Sequence, residues 1–246
     1  MAFYGKFRLK DGIETLESLR DMRSVLIVPA GPPDHATLDS GAAALLLRLG
    51  APKEDAARRQ ARAQACAWVE AALQRTAPPR VFVQVAPVTS EILEADLDAL
   101  AGAMPEGVFL EGCAGRAHVQ QLSVKLAVRE AAAGLGAGVT RIVALAAQAP
   151  AGVFALGGYR DASSRLAALA LDETPLPGGA QAWLSVRGLL ALGAAAAGCA
   201  ALDFAPALEG DALSAFCRQA RREGFSGMLT RDFAQIGGIE AAFSAP

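Results

Sequence analysis

The sequence predicts a (β/α)8 barrel of TIM type, in a single domain over residues 1–246, and three observations carry that expectation. Eight short apolar runs recur along the chain, several of them rich in β-branched and aromatic residues. Helical patterns separate them, which is the order a parallel sheet needs, because each crossover must return the chain to the same end. No obvious linker divides the chain, and 246 residues is a common length for one barrel.

The elements follow in order. SVLIVPA (24–30) is the first strand, ending at Pro29, and PPDHATLDSGA offers a helix. AALLLRL (43–49) is the second strand, before a long helix over 53–75. RVFVQVAP (80–87) is the third, followed by an amphipathic helix over 94–104. GVFLEG (107–112), a helix over 118–136, and TRIVALAA (140–147) give the fourth and fifth strands. A turn and short helix lead to RLAALALDE (165–173), and a helix over 182–197 precedes CAALDF (199–204). A helix over 212–224 and the short strand GMLT (227–230) complete the alternation. A doubly wound sheet is the alternative. It would place a glycine-rich nucleotide turn after the first strand, and SVLIVPAGPPD contains no G-x-G-x-x-G. GLGAG (134–138) precedes a strand and reads as a helix stop.

Composition narrows the function classes. With 53% hydrophobic and 20% charged residues, the chain can bury a large core and is not wholly disordered. A net charge of −2 gives no reason to expect nucleic acid or an anionic membrane as partner. Four widely spaced cysteines without a CxxC pair, and two distant histidines, His35 and His118, offer little for zinc and suit a reducing, cytoplasmic setting. The first sixteen residues lack the apolar core of a signal peptide, and the Ala/Leu/Gly run 188–202 is too short for a membrane span.

In a barrel, catalytic groups stand at the C-terminal ends of strands. Those positions here hold Arg48, Gln84, Glu111, Gln148, Asp172 with Glu173, Asp203, and Arg231 with Asp232. Arg48 and Glu111 are expected to pair, directly or through Gln84, or to remain separate solvated rim charges. Asp172, Glu173 and Asp203 suit either loop capping or an acidic cluster for a metal or general base. Cys113 is a candidate thiol with no histidine beside it, and Ser163 and Ser164 have no recognisable base.

Three stretches carry a resemblance: RSVLIVPAGPPDHATLDSGAAALLLRLG, EADLDALAGAMPEGVFLEG, and GFSGMLTRDFAQIGGIEAAFS. Over nearly its whole length the chain resembles the HpcH/HpaI aldolase and citrate lyase β-subunit family. The most specific match is FAQI-x-x-I-x-A-A-F after the eighth strand, similar to the family ending GFDGKLAIHPAQIEVVNAAFSP. The resemblance implies a barrel that cleaves or forms a carbon–carbon bond beside a carbonyl, in an acyl-CoA thioester or small oxo acid. It also implies Mg²⁺ held by a Glu and an Asp, an Arg that holds the oxo acid, and a homo-trimer or larger assembly. PKEDAARRQAR (52–62), similar to the family's PAEKAAAREA, implies that Lys53, Arg58 and Arg59 meet CoA phosphates, with Gln84 beside the substrate.

The departures from the pattern are coordinated. Gln148 stands at the metal-binding Glu, Pro175 at the metal-binding Asp, and Phe82 at the substrate Arg. The acidic D-L-E-D of the second strand reads RLGA (48–51), the fourth-strand P-K reads Glu111-Gly112, and the closing H-P reads Asp232-Phe233. Asp203 retains an acid that the family often carries. Metal is therefore not expected at the family positions, with Asp172 and Glu173 the possible substitutes. Two classes of function stay open: a carbon–carbon lyase with an altered site that uses Asp203, Gln148, Arg48 and Glu111, and a non-catalytic barrel that binds acyl-CoA or a partner subunit. A metal-independent hydrolase or isomerase using Asp203 is a third.

Overall fold

The computed structural model describes residues 21–29, 31–50 and 53–244. The first sixteen residues, read above for a leader, and Pro52 of the basic stretch lie outside the described residues. Eight parallel strands close into a barrel in chain order, with the eighth pairing back on the first. They are β1 (Ser24–Val28), β2 (Ala44–Arg48), β3 (Arg80–Val85), β4 (Gly107–Leu110), β5 (Arg141–Leu145), β6 (Leu166–Ala170), β7 (Ala200–Phe204) and β8 (Gly227–Thr230).

The strands read as unbroken apolar runs because both faces are covered. One face of each fills the barrel: Val25 and Ile27, Ala44 and Leu46, Phe82, Phe109, Val143 and Leu145, Ala168 and Ala170, Ala200 and Leu202, and Leu229 form one cluster. The alternate residues, such as Leu45, Leu47, Val83, Val108 and Ile142, pack under the helices in a second, larger one. Inside the barrel, bulk on one side meets small residues on the other. Phe82 and Phe109 stack edge to face at 5.6 Å, while β6 and β7, across the ring, supply alanines. Gly107 is part of that fit, since a Cβ there would stand 2.8 Å from the Phe82 ring and 2.5 Å from the Arg141 carbonyl.

The helices are α1 (His35–Leu38), α2 (Ala56–Leu73), α3 (Leu93–Leu100), α4 (Arg116–Ala132), α5 (Pro150–Phe154), α6 (Gly179–Ala197), α7 (Gly210–Arg222) and α8 (Ile236–Ser244). α1 is a single turn, shorter than its sequence suggests, capped by Asp34 and followed by Gly41 in the left-handed region. α4 stops where GLGAG predicts: Gly134 takes φ +68°, and the Leu135 N–H closes on the Glu130 carbonyl at 2.8 Å. Among the described residues no helix is long and apolar enough to cross a membrane.

Candidate functional site at the barrel mouth

Strand alternation decides what reaches the mouth. Arg48 continues the inward set Ala44–Leu46, Gln84 follows Phe82, Glu111 follows Phe109, Asp172 follows Ala170, and Arg231 follows Leu229. Two hydrogen-bonded groups result.

The first joins β3, β4, β5 and β6. Gln84, almost fully buried, donates through Nε2 to the Glu111 carboxylate. Gln148 bridges the next gap: its Oε1 accepts from the Gly112 N–H at 2.6 Å, and its Nε2 donates to Asp172 Oδ2 at 2.6 Å. The other Asp172 oxygen accepts from the Thr174 N–H at 2.9 Å. Burial pushes the Glu111 carboxyl above the usual carboxylate range, opposed by the Gln84 hydrogen bond and the positive fields of Arg58 and Arg48.

The second group spans the mouth. Arg48 Nη1 reaches Glu173 Oε1 at 2.9 Å, and Arg231 Nη2 donates to the same oxygen. β2 and β6 lie on opposite sides of the eight-strand ring, so the Arg48–Glu173 pair crosses it. Of the alternatives expected for Arg48 and Glu111, the two stay separate, although neither is a free solvated charge. Gln84 does meet Glu111, while the Arg48 guanidinium turns to Glu173.

The Mg²⁺ that the resemblance implies does not fit these residues. Gln148 commits its amide oxygen to a backbone N–H and its amide nitrogen to Asp172, so a donor sits where a second carboxylate would face a cation. Glu173 is claimed by two guanidiniums, and Phe82 fills the barrel interior at the substrate-Arg position. Among the described residues no three His, Cys, Asp or Glu side chains converge as a metal site.

Several expected site residues stand elsewhere. Asp203 faces outward from β7, where Arg187 of α6 holds Oδ2 through Nε at 2.9 Å and Nη2 at 2.7 Å, so its carboxylate is turned from the mouth. That guanidinium also meets Glu223 at 2.9 Å and lies over the Phe216 and Phe225 rings, which makes the cluster a clasp between β7 and its helices. Arg58 is likewise buried and turned from solvent: Nε and Nη2 clamp the fully buried Asp96 at 3.0 and 2.5 Å, and Nη1 meets the Gly50 carbonyl. Arg62 shares Asp96 and pairs with Glu54. Of the basic stretch, Lys53 and Arg59 remain exposed, beside Asp55 and Glu54 respectively. Cys113 is buried, and burial pushes its thiol upward against the Tyr159 hydroxyl that donates to it, so the net environment is opposite to that of a nucleophile. Ser163 Oγ meets the Ser123 hydroxyl at 2.9 Å and accepts from the Arg165 N–H at 3.1 Å, and Asp232 caps the turn that follows β8.

Sequence reasoning missed Arg187, Asp96 and Glu54 as partners. Arg187 had a signal, being the single charge in an otherwise uncharged nineteen-residue helix. Nothing local marks which acid such a residue will find.

No protein-family model and no curated protein sequence matches the chain. Solved structures do match in fold. RipC from Yersinia pestis superposes with a TM-score of 0.72 at 21% identity, over 93% of this chain and 97% of that one. The Mycobacterium tuberculosis citrate lyase beta subunit complexed with oxaloacetate and magnesium gives 0.68 at 20%, over 93% and 100%. CitE from the same organism, in complex with magnesium, acetoacetate and coenzyme A, gives 0.69 at 20%, over 92% and 83%.

Proposed function

We propose that this chain is a single-domain barrel of the HpcH/HpaI aldolase and citrate lyase β-subunit family. We further propose that its mouth binds a small oxo acid or acyl-CoA thioester without a divalent cation, the metal-dependent cleavage having been given up. The observation that carries the reading is the Gln148–Asp172 hydrogen bond at 2.6 Å. An amide donor satisfies a carboxylate that would otherwise need a cation to neutralise it. The structural neighbours crystallised with oxaloacetate, acetoacetate and coenzyme A support the ligand class. Lys53, exposed on the loop ahead of α2, and Arg59, exposed in its first turn, are the residues left to meet CoA phosphates, and Arg48 and Arg231 the cations for a carboxylate.

A second reading rests on a different observation. Glu111 is half-buried, raised in pKa and hydrogen-bonded to Gln84 at the mouth, which suits a general acid. In that reading the chain remains a carbon–carbon lyase: Arg48 and Arg231 polarise a carbonyl and Glu111 moves the proton, with no metal step.

One experiment separates them. The purified chain is titrated with acetyl-CoA and pyruvate by calorimetry, with Mg²⁺ or with EDTA, and product formation from malyl-CoA and citryl-CoA is followed in parallel. The first reading expects binding heats equal with Mg²⁺ and EDTA, and no cleavage. Cleavage that persists in EDTA and is lost in Glu111→Gln supports the second. Binding or cleavage that requires Mg²⁺ refutes both.

We also read the protein as cytoplasmic and homo-oligomeric. All four cysteines are free, which suits a reducing compartment. The outer face of α6 exposes Leu184, Leu189 and Leu192 without a charge, so two copies can meet there without like-charge repulsion.

A further inference from the structure

We propose that Glu173 is an internal stand-in for the ligand's carboxylate: a bound oxo acid takes its place between Arg48 and Arg231, and the ion pair across the mouth opens as it does so. The inference rests on the ligand class proposed above and names the residues that recognise it.

Three features support the exchange. First, both guanidiniums converge on a single oxygen, Glu173 Oε1, although they come from β2 and from the end of β8. Two Arg donors on one carboxylate is the arrangement that recognises a carboxylate ligand, and here a side chain of the protein supplies the anion. The trio keeps a net charge of +1, so it attracts a further anion rather than repelling it.

Second, the contact is exchangeable. The Arg48, Arg231 and Glu173 side chains are 30%, 52% and 38% exposed. Solvent-exposed pairs of this kind contribute little to stability, so little is lost when one carboxylate replaces another. Glu173 sits just beyond the end of β6 in a stretch without regular structure up to α6, which gives its side chain room to swing outward.

Third, the neighbouring mouth groups are ill suited to receive a carboxylate. Gln84 and Asp172 are more buried than the arginines, and Glu111 and Asp172 are two acids already matched to the Gln84 and Gln148 amide donors. An incoming anion would meet like charge there. The arginine layer is the level at which it can stop, leaving its neutral end facing the amides.

The test uses the full chain and pyruvate as the probe, with methyl pyruvate as the uncharged comparator. In Glu173→Gln the competitor is removed, and pyruvate is expected to bind about three- to tenfold more tightly than to the wild type. Arg48→Met and Arg231→Met are each expected to weaken it on the order of tenfold. Methyl pyruvate affinity is expected to stay level across all four proteins, a comparison that a misfolded variant fails. Glu173→Ala, which removes the side chain altogether, repeats the gain if exchange is the cause. If pyruvate binds wild type and both Glu173 variants equally, the stand-in role is overturned while the proposed ligand class survives. If no variant binds pyruvate or acetyl-CoA, both are overturned. Binding that appears only once Glu173 is replaced establishes the exchange.

Discussion

At the scale of single residues, Gln148 is the informative position. Its amide accepts from the Gly112 N–H and donates to Asp172 at once. A carboxylate keeps the first bond and turns the second into repulsion. Gln148→Glu is therefore expected to destabilise the fold by about 1–3 kcal/mol near neutral pH. Urea denaturation near neutral pH should show the deficit, and a midpoint equal to that of the wild type would refute it. Glu111 has the opposite sign of interest. Its folded-state pKa is raised by burial, so its favourable contribution is complete below the ordinary carboxylate value of about 4.3 and is lost as pH rises through the folded value. Glu111→Gln, which can still accept from Gln84, should match wild type near pH 4 and exceed it in stability by a margin that grows as pH rises through the folded value and then levels off. A thermal-melt series over that range would show it, and a constant difference would refute it. The departure at position 148 was legible in the sequence. Its consequence was not, because the amide's two partners lie 36 and 24 residues away.

At the scale of elements, the buried ion pairs explain why several basic residues that look like ligand contacts serve the fold. Asp96 lies on α3 with no exposure, takes the Arg58 and Arg62 guanidiniums from α2, and accepts the Ala86 N–H just past β3. It fixes two helices and a strand end at one point. Asp96→Ala leaves two buried cations without their shared partner and is expected to cost about 3–5 kcal/mol in urea denaturation. Arg59→Ala, on the solvent side of the same helix, is expected to stay within about 0.5 kcal/mol. If Arg59 meets CoA phosphate, that same variant weakens acetyl-CoA binding and steepens no unfolding transition. Helix positions were readable from apolar periodicity and from Gly134 and Gly198, both in the left-handed region just past their helices. The face each arginine takes was not. In RRQAR the charged pattern is the same whether a residue points at water or at an acid on the next helix. The registers of α2 and α3 decide it.

At the scale of the whole molecule, the barrel was legible because its signal is redundant. Eight apolar runs each carry the same two-faced burial, and an error of a residue or two at an end leaves the order intact. Strand ends ran long in the sequence reading because burial outlasts the ladder: Ala86 and Leu171 are buried just past β3 and β6. The mouth is the reverse case. Closure brings Arg48 within reach of Glu173, 125 residues on, and a contact across the ring leaves no local trace. The same global view isolates the outer face of α6. Leu184 and Leu192 are 57% and 70% exposed two turns apart, Gly188 stands between them, and the helix's single charge, Arg187, is buried beneath. An amphipathic helix on a barrel ordinarily turns polar residues to water, and this one turns leucines. In the proposed homo-oligomer a second copy would supply the complementary uncharged surface, related by a twofold axis or by a closed ring. Leu184→Glu with Leu192→Glu places like charges at the centre of such a contact. Sedimentation velocity should then show a smaller species than wild type, with thermal stability of the dissociated chain changed little, as expected for surface positions. Wild type already sedimenting as a monomer would refute the contact. A double variant that keeps the wild-type coefficient would move the interface to another face.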